Sequence, residues 1–270
     1  MSPVAAAGHV CWPYDDHPAF EAHAAAVLRA GLEAGEQVWY VPGDGGGAVA
    51  GLLTGHPRAV SRADAVRVVP LAVAYPGDLT VDPAAQVTAY TAATEDALAA
   101  GFTGLRVVAD ATAFVRTEAQ RDAFARYEYA IGRYMRTAPM SAVCAYDRRE
   151  LGDQVIAELA CVHETGPAGD VMFRLHPGAT TAEVILDGEV DLSVEELFGR
   201  ALRRTDLRPA GGEVVLDAGG LKFIDHRSLL TLQRFAEARR TTAVLRTRFA
   251  GAVHLARLLD LPHVRVEVTR

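Results

Sequence analysis

Lysine is almost missing from this chain: Lys222 stands alone among 27 Lys and Arg residues. Arginine takes its place and alanine is abundant, a pattern that reads as GC-rich coding rather than as a phosphate-binding device. Aromatics make up only 7% of the residues and no basic cluster alternates with them, so the stacking platforms of a single-strand nucleic-acid binder are excluded. Cysteine is equally sparse. Cys11, Cys144 and Cys161 form no CxxC pair, and an odd count argues for thiols or ligands rather than a disulfide framework. No apolar run reaches the roughly 18 to 20 residues that cross a bilayer. The N-terminus lacks the basic start and apolar core of a signal peptide, so a cytoplasmic location is expected. Catalytic signatures are missing too: there is no Gly-x-Ser-x-Gly elbow and no HExxH, and Ser141 near Cys144 has no evident His/Asp partners. The expectation is a protein that is not an enzyme.

What is present is a chain of 270 residues, half of them apolar, long enough for two ordinary domains with a core each. The net charge of -7 is uneven: 20 acidic and 12 basic side chains precede residue 166, and 14 and 15 follow. The acidic half is a poor nucleic-acid surface. Hydrophobic patterning predicts strands at 8–12, 37–41, 66–69, 105–109 and 141–146, with helices at 18–34, from 48, and at 82–100, 118–135 and 149–162. That βαβ rhythm implies a largely parallel sheet covered by helices. A Gly/Pro-rich segment at 164–170 has the composition of a linker and divides the chain into domains 1–165 and 166–270. Beyond it, strands at 171–175, 182–186, 214–216, 243–246 and 264–268 alternate with helices at 194–207, 228–239 and 250–260. The fold class expected is therefore α/β, in two domains.

Two stretches of the second half carry a resemblance: Gly188-Glu189-Val190-Asp191 after a strand, and Leu216 to Leu229, where an apolar run ends in Asp217 and Asp225 opens a helix. Together they resemble the STAS domain of bacterial anti-sigma-factor antagonists. That resemblance implies a loop before the helix that serves as phosphorylation switch and partner contact, usually written Asp-Ser-Ser-Gly with the second Ser taking the phosphate. Here Asp225 keeps the Asp, His226 and Arg227 replace the serines, and Ser228 stands in place of the Gly. Arginine cannot accept phosphate in that manner, and its charge is unfavourable at a helix N-terminus unless a carboxylate offsets it. Three readings stay open: Ser228 as a displaced phosphoacceptor rather than an N-cap or first-turn hydroxyl, the loop as a constitutive docking surface, or the domain as a scaffold whose signal enters through the N-terminal half.

In the first half, Gly8-His9-Val10-Cys11 with Tyr14, Gly31-Leu32-Glu33-Ala34-Gly35-Glu36 leading into a strand, Leu105 to Asp110, Tyr127-Glu128 and Cys144-Ala145-Tyr146-Asp147 occur in order. This set is similar to the MEDS domain, a sensory domain of methanogens and methylotrophs thought to sense small organic compounds, and distantly to the RecA/KaiC-like ATPase core. The resemblance implies a sensor crevice built from His9, Cys11, Tyr14, Asp110, Glu128, Cys144 and Tyr146. His9 and Cys144 could hold a soft or borderline metal, Cys144 could be a reactive thiol, or Cys144 could be a small core residue and His9 a hydrogen-bonded edge residue. His17, His23 and His163 are further candidates, although His17 and His23 are six apart, a spacing that does not share a helix face.

A competing reading uses the glycine-rich stretch 43–47. Gly43-x-Gly45-x-x-Ala48 matches a dinucleotide fingerprint with Asp64 downstream, but no lysine is there for a nucleotide's β and γ phosphates. The sequence names no cofactor. The partners expected are an anti-sigma factor or kinase-like regulatory protein and a small organic ligand, with neither direct nucleic-acid nor membrane contact; a homodimer stays open. The mechanism expected is ligand occupancy in the sensor changing partner affinity at Asp225, His226, Arg227 and Ser228.

Overall fold

Runs of Val, Ile and Leu on strand after strand, each followed by an alanine-rich or amphipathic helix, dictate two parallel-rich sheets. The computed structural model describes residues 8–43, 48–53, 55–75, 79–167, 169, 171–205 and 207–269. Contacts divide it into two units, the first running to Ile156 and including Thr165–Pro167, the second made of Ala157–Glu164 and the chain beyond Pro167. Among the described residues no helix is long and apolar enough to cross a membrane.

The first unit contains β1 (His9–Tyr14), α1 (His17–Ala34), β2 (Gln37–Val41), α2 (Ala48–Leu53), α3 (Pro57–Ser61), β3 (Val66–Val68), α4 (Leu71–Ala74), α5 (Pro83–Ala99), β4 (Leu105–Asp110), α6 (Glu118–Met135) and β5 (Met140–Asp147). Helix α7 (Arg148–Ala160) follows. The five strands form one parallel sheet in the order β1-β5-β4-β2-β3. The short α3 and α4 lie where the sequence shows no long periodic run. The longer helices are bounded by local chemistry: Asp16 accepts the Ala19 N–H to cap α1, Asp82 does the same for Ala84 and Ala85 in α5, and Thr117 with Gln120 closes a capping box on α6. Each such cap contributes about 1 kcal/mol. Helix α1 packs on β1, β2 and β4, while α5 and α6 pack together and on β4 and β5.

The second unit contains β6 (Phe173–Pro177), β7 (Glu183–Val190), α8 (Glu195–Arg204), β8 (Glu213–Ala218), β9 (Leu221–Ile224), α9 (His226–Ala238), β10 (Thr242–Thr247), α10 (Ala250–Leu259) and β11 (Val264–Val268). Its mixed sheet runs β11-β10-β8-β7-β6, antiparallel only between β6 and β7, with β9 continuing beside β7 where β8 leaves it. The sequence reading misses β9 as a strand because four residues are too few to show alternation. Gly188 sits at the bulge where β7 passes from one partner to the next, with φ at 93°, and a Cβ there would collide with the Met172 carbonyl. Only glycine meets both demands. The core is aliphatic, with Phe173 edge-on to Phe198 at 5.6 Å between ring centres.

Candidate functional site

Strand alternation decides which of the expected residues meet. In a parallel sheet, residues paired in register point to the same face and their neighbours to the other. Cys11 pairs with Cys144, and Cys144 with Ala109, so His9, Cys11, Cys144 and Tyr146 share the face covered by α6. Tyr14 pairs with Asp147, and Asp110 with Ala145, which puts Tyr14, Asp110 and Asp147 on the opposite face at the C-terminal rim. The single crevice expected from the sequence is thus two separate places.

The first is a buried cluster. Glu128, from the middle of α6, is fully enclosed, and His9, Cys144 and Tyr146 are each at most 5% exposed. His9 Nε2 lies 2.5 Å from Glu128 Oε2, the Cys144 thiol donates to the same oxygen at 3.4 Å and lies 3.5 Å from His9 Nε2, and the Tyr146 hydroxyl donates to Oε1 at 3.1 Å. A carboxylate this deep is tolerable only with such partners. Burial first, then the negative charge of Glu128, pushes the Cys144 thiol well above its ordinary range. The thiol therefore stays protonated in the absence of a cation, which weighs against a reactive nucleophile. Cys11 is buried beside it in the sheet, and the three cysteines are free thiols.

Around this cluster lies a nest of rings that the sequence reading did not single out. Tyr75, Tyr90 and Tyr127 have ring centres 6.1 to 6.5 Å apart, and Phe114 and Phe124 pack on Tyr75. Burial raises the hydroxyls of all three tyrosines, with Glu128 and Cys144 adding to it. Phe124 and Tyr127, three apart on α6, were the available signal. Tyr90 also borders a cavity of about 400 Å³ with Trp39, Arg67, Val69, Val73 and Gln86.

The second place is a crevice of about 140 Å³ where strands β1, β4 and β5 end, lined by Tyr14, His17, Gly43, Asp110, Thr112 and Arg116 among others. Strand ends of a parallel sheet are where ligands gather. Asp110, however, is already occupied: Oδ2 accepts the Tyr14 hydroxyl at 2.7 Å, and Oδ1 accepts the N–H and hydroxyl of Thr112. Burial and the Asp110 charge push the Tyr14 hydroxyl upward. A Cβ on Gly43 would come 2.5 Å from Asp110 Oδ2, so glycine is needed for this close approach. Of the glycine-rich stretch only Gly43 belongs to the described residues; 44–47 lie outside them. His17 and His23 diverge, His17 toward the crevice and His23 stacked on Trp12 at 3.5 Å. His163 falls in the second unit, its Nδ1 2.8 Å from the Leu159 carbonyl.

In the second unit, Asp225 caps α9 by accepting the Ser228 N–H at 2.8 Å. Ser228 is fully buried and its hydroxyl donates to the Val190 carbonyl at 3.3 Å. It is a first-turn hydroxyl rather than the N-cap, and it is withdrawn from solvent. His226 and Arg227 are exposed, and Arg227 lies 3.6 Å from Glu195, the carboxylate that offsets its charge at the helix N-terminus.

Neither a curated protein nor a solved structure matches the chain. A family profile does, over residues 8–164, described as the MEthanogen/methylotroph, DcmR Sensory domain. Over that span, which holds both the buried cluster and the rim crevice, the chain belongs to the MEDS family.

Proposed function

We propose that this protein is a two-part regulator in which the MEDS unit takes up a small organic compound and the second unit, a STAS-like module, docks a partner of the anti-sigma or kinase-like class. The observation that carries the reading is the run of rings from the 400 Å³ cavity inward. Trp39 lies 6.3 Å from Tyr90, Tyr90 stacks on Tyr127, and Tyr127 feels the charge of Glu128. A cavity of that size with aromatic walls and a few polar groups is suited to a small ligand. The polar groups on its lining are Arg67, Gln86 and the Trp39 and Tyr90 side chains.

A RecA-type ancestry of the first unit is supported by the strand order, with Thr165 making a parallel bridge to Val10 on the free side of β1. In that ancestry the phosphate loop would join β1 to α1. Asp15 and Asp16 stand there instead, and the Asp16 carboxylate takes the Ala19 N–H that a phosphate would use. This argues against a RecA-type phosphate loop at that position; the alternative that uses the glycine-rich stretch 43–47 falls mostly on residues outside the described ones. For the second unit, the capped α9, the Gly188 bulge and the exposed Arg227 beside Glu195 favour a docking loop without a switch.

Native mass spectrometry of the purified chain tests the sensor: a small organic mass should be retained and lost in Trp39→Ala and Tyr90→Ala, whereas a bound nucleotide would overturn the reading. Calorimetry tests the coupling. Identical affinity for a cognate anti-sigma factor with and without ligand would sink the two-part mechanism.

A further inference from the structure

We infer that His9, Glu128 and Cys144 form a binding site for a borderline divalent cation of the zinc class, with Tyr146 orienting the carboxylate. The inference stands on donor geometry and holds whether or not the unit senses an organic compound.

Three different donors, an imidazole nitrogen, a carboxylate oxygen and a sulfur, lie within 4.8 Å of one another and are almost wholly withdrawn from solvent. A tetrahedral zinc ion holds sulfur at about 2.3 Å and nitrogen or oxygen at about 2.1 Å. Simple trigonometry then separates sulfur from either light donor by about 3.6 Å, and nitrogen from oxygen by about 3.4 Å. The observed separations from Cys144 Sγ are 3.5 Å to His9 Nε2 and 3.4 Å to Glu128 Oε2. Two of the three edges of the coordination triangle already have their coordinated length. Only the His9–Glu128 edge, at 2.5 Å, has to open, by about 1 Å.

Charge points the same way. A thiolate and a carboxylate cancel a divalent cation, so a neutral imidazole completes an electroneutral site, the form least costly to bury. The mixed N, O, S set excludes calcium and magnesium, which take oxygen alone. On binding, the sulfur–metal bond replaces the Cys144 S–H bond and the proton leaves to buffer. The Tyr146 hydroxyl, held on Oε1, leaves Oε2 as the carboxylate oxygen facing the other donors. The donors stand on β1, β5 and α6, rigid elements rather than loops.

The test uses the full-length chain, freed of metal with chelator and titrated with zinc and with cobalt(II) as a coloured probe. One equivalent should bind, with a sulfur-to-cobalt charge-transfer band. Cys144→Ser should abolish the charge-transfer band, and Tyr146→Phe should keep it while weakening affinity about 10- to 100-fold. X-ray absorption at the zinc edge of the unmutated protein should report one sulfur in the first shell, a reading that does not depend on any variant folding. No sulfur in that shell, or a charge-transfer band that survives Cys144→Ser, would overturn the assignment.

Discussion

Glu128 shows how much one residue can organise. Three groups converge on its carboxylate, and none has solvent to fall back on. Replacing it with Ala should destabilise the first unit by about 3 to 5 kcal/mol, the cost of leaving buried partners unmatched, read as a lower urea midpoint. Tyr146→Phe removes one hydrogen bond to a charged acceptor and should cost about 1.5 to 3 kcal/mol in the same assay. The four residues of this cluster are visible in the sequence only as unusual polar groups in apolar runs. Their mutual distances are not, because they come from two strands and a helix, with His9 more than a hundred positions before the other three. Tyr14 and Asp110 illustrate the limit: both are polar residues at strand ends, and only the register shows that they pair with each other rather than with His9. Ser228 illustrates another. Its hydroxyl reads as a surface group, yet it bonds Val190 on a strand 38 residues earlier, so intact-mass analysis after incubation with kinases should find no phosphate on it.

At the scale of elements, β5 as a buried strand and the capping residues of α1, α5 and α9 are legible, since they rest on an apolar run and on Asp at a helix entry. The β7 bulge is not, because a single glycine in a strand has several explanations. Gly188→Ala should destabilise the second unit by at least about 2 kcal/mol in denaturant unfolding, combining a positive φ with a steric clash. The exposed network across β8, β10 and β11 gives a pH prediction. Hydrogen bonds from Arg265 hold Glu213 below the usual carboxylate range, and those from Arg246 and then Arg265 do the same for Glu267. A carboxyl lowered by folding contributes stability above its unfolded pKa, about 4.3, and loses it as pH falls through the folded value. Arg265→Ala should therefore reduce stability modestly at neutral pH and leave it unchanged once both carboxyls are protonated, as thermal melts at the two extremes would show.

For the whole molecule, composition limits the partners more than the fold does. Twenty acidic side chains against twelve basic ones up to residue 165 leave the MEDS span without an electrostatic footprint for nucleic acid, and a mobility-shift assay at physiological salt should show no retardation of DNA or RNA. The α/β class, the order of the longer elements and the MEDS kinship of the first half are readable from periodicity and motif order, whereas the short α3, α4 and β9 are not. The split of the expected crevice is not, since it follows from which face each strand residue takes. That split has a consequence for how the protein can change. Strand β5 separates the two places, with Cys144 and Tyr146 turned to the buried cluster and Asp147 to the rim crevice. Substitutions at Cys144 or Tyr146 can therefore remodel the buried cluster while Asp147 keeps its place in the crevice, which makes the two separable under selection although one strand of eight residues serves both.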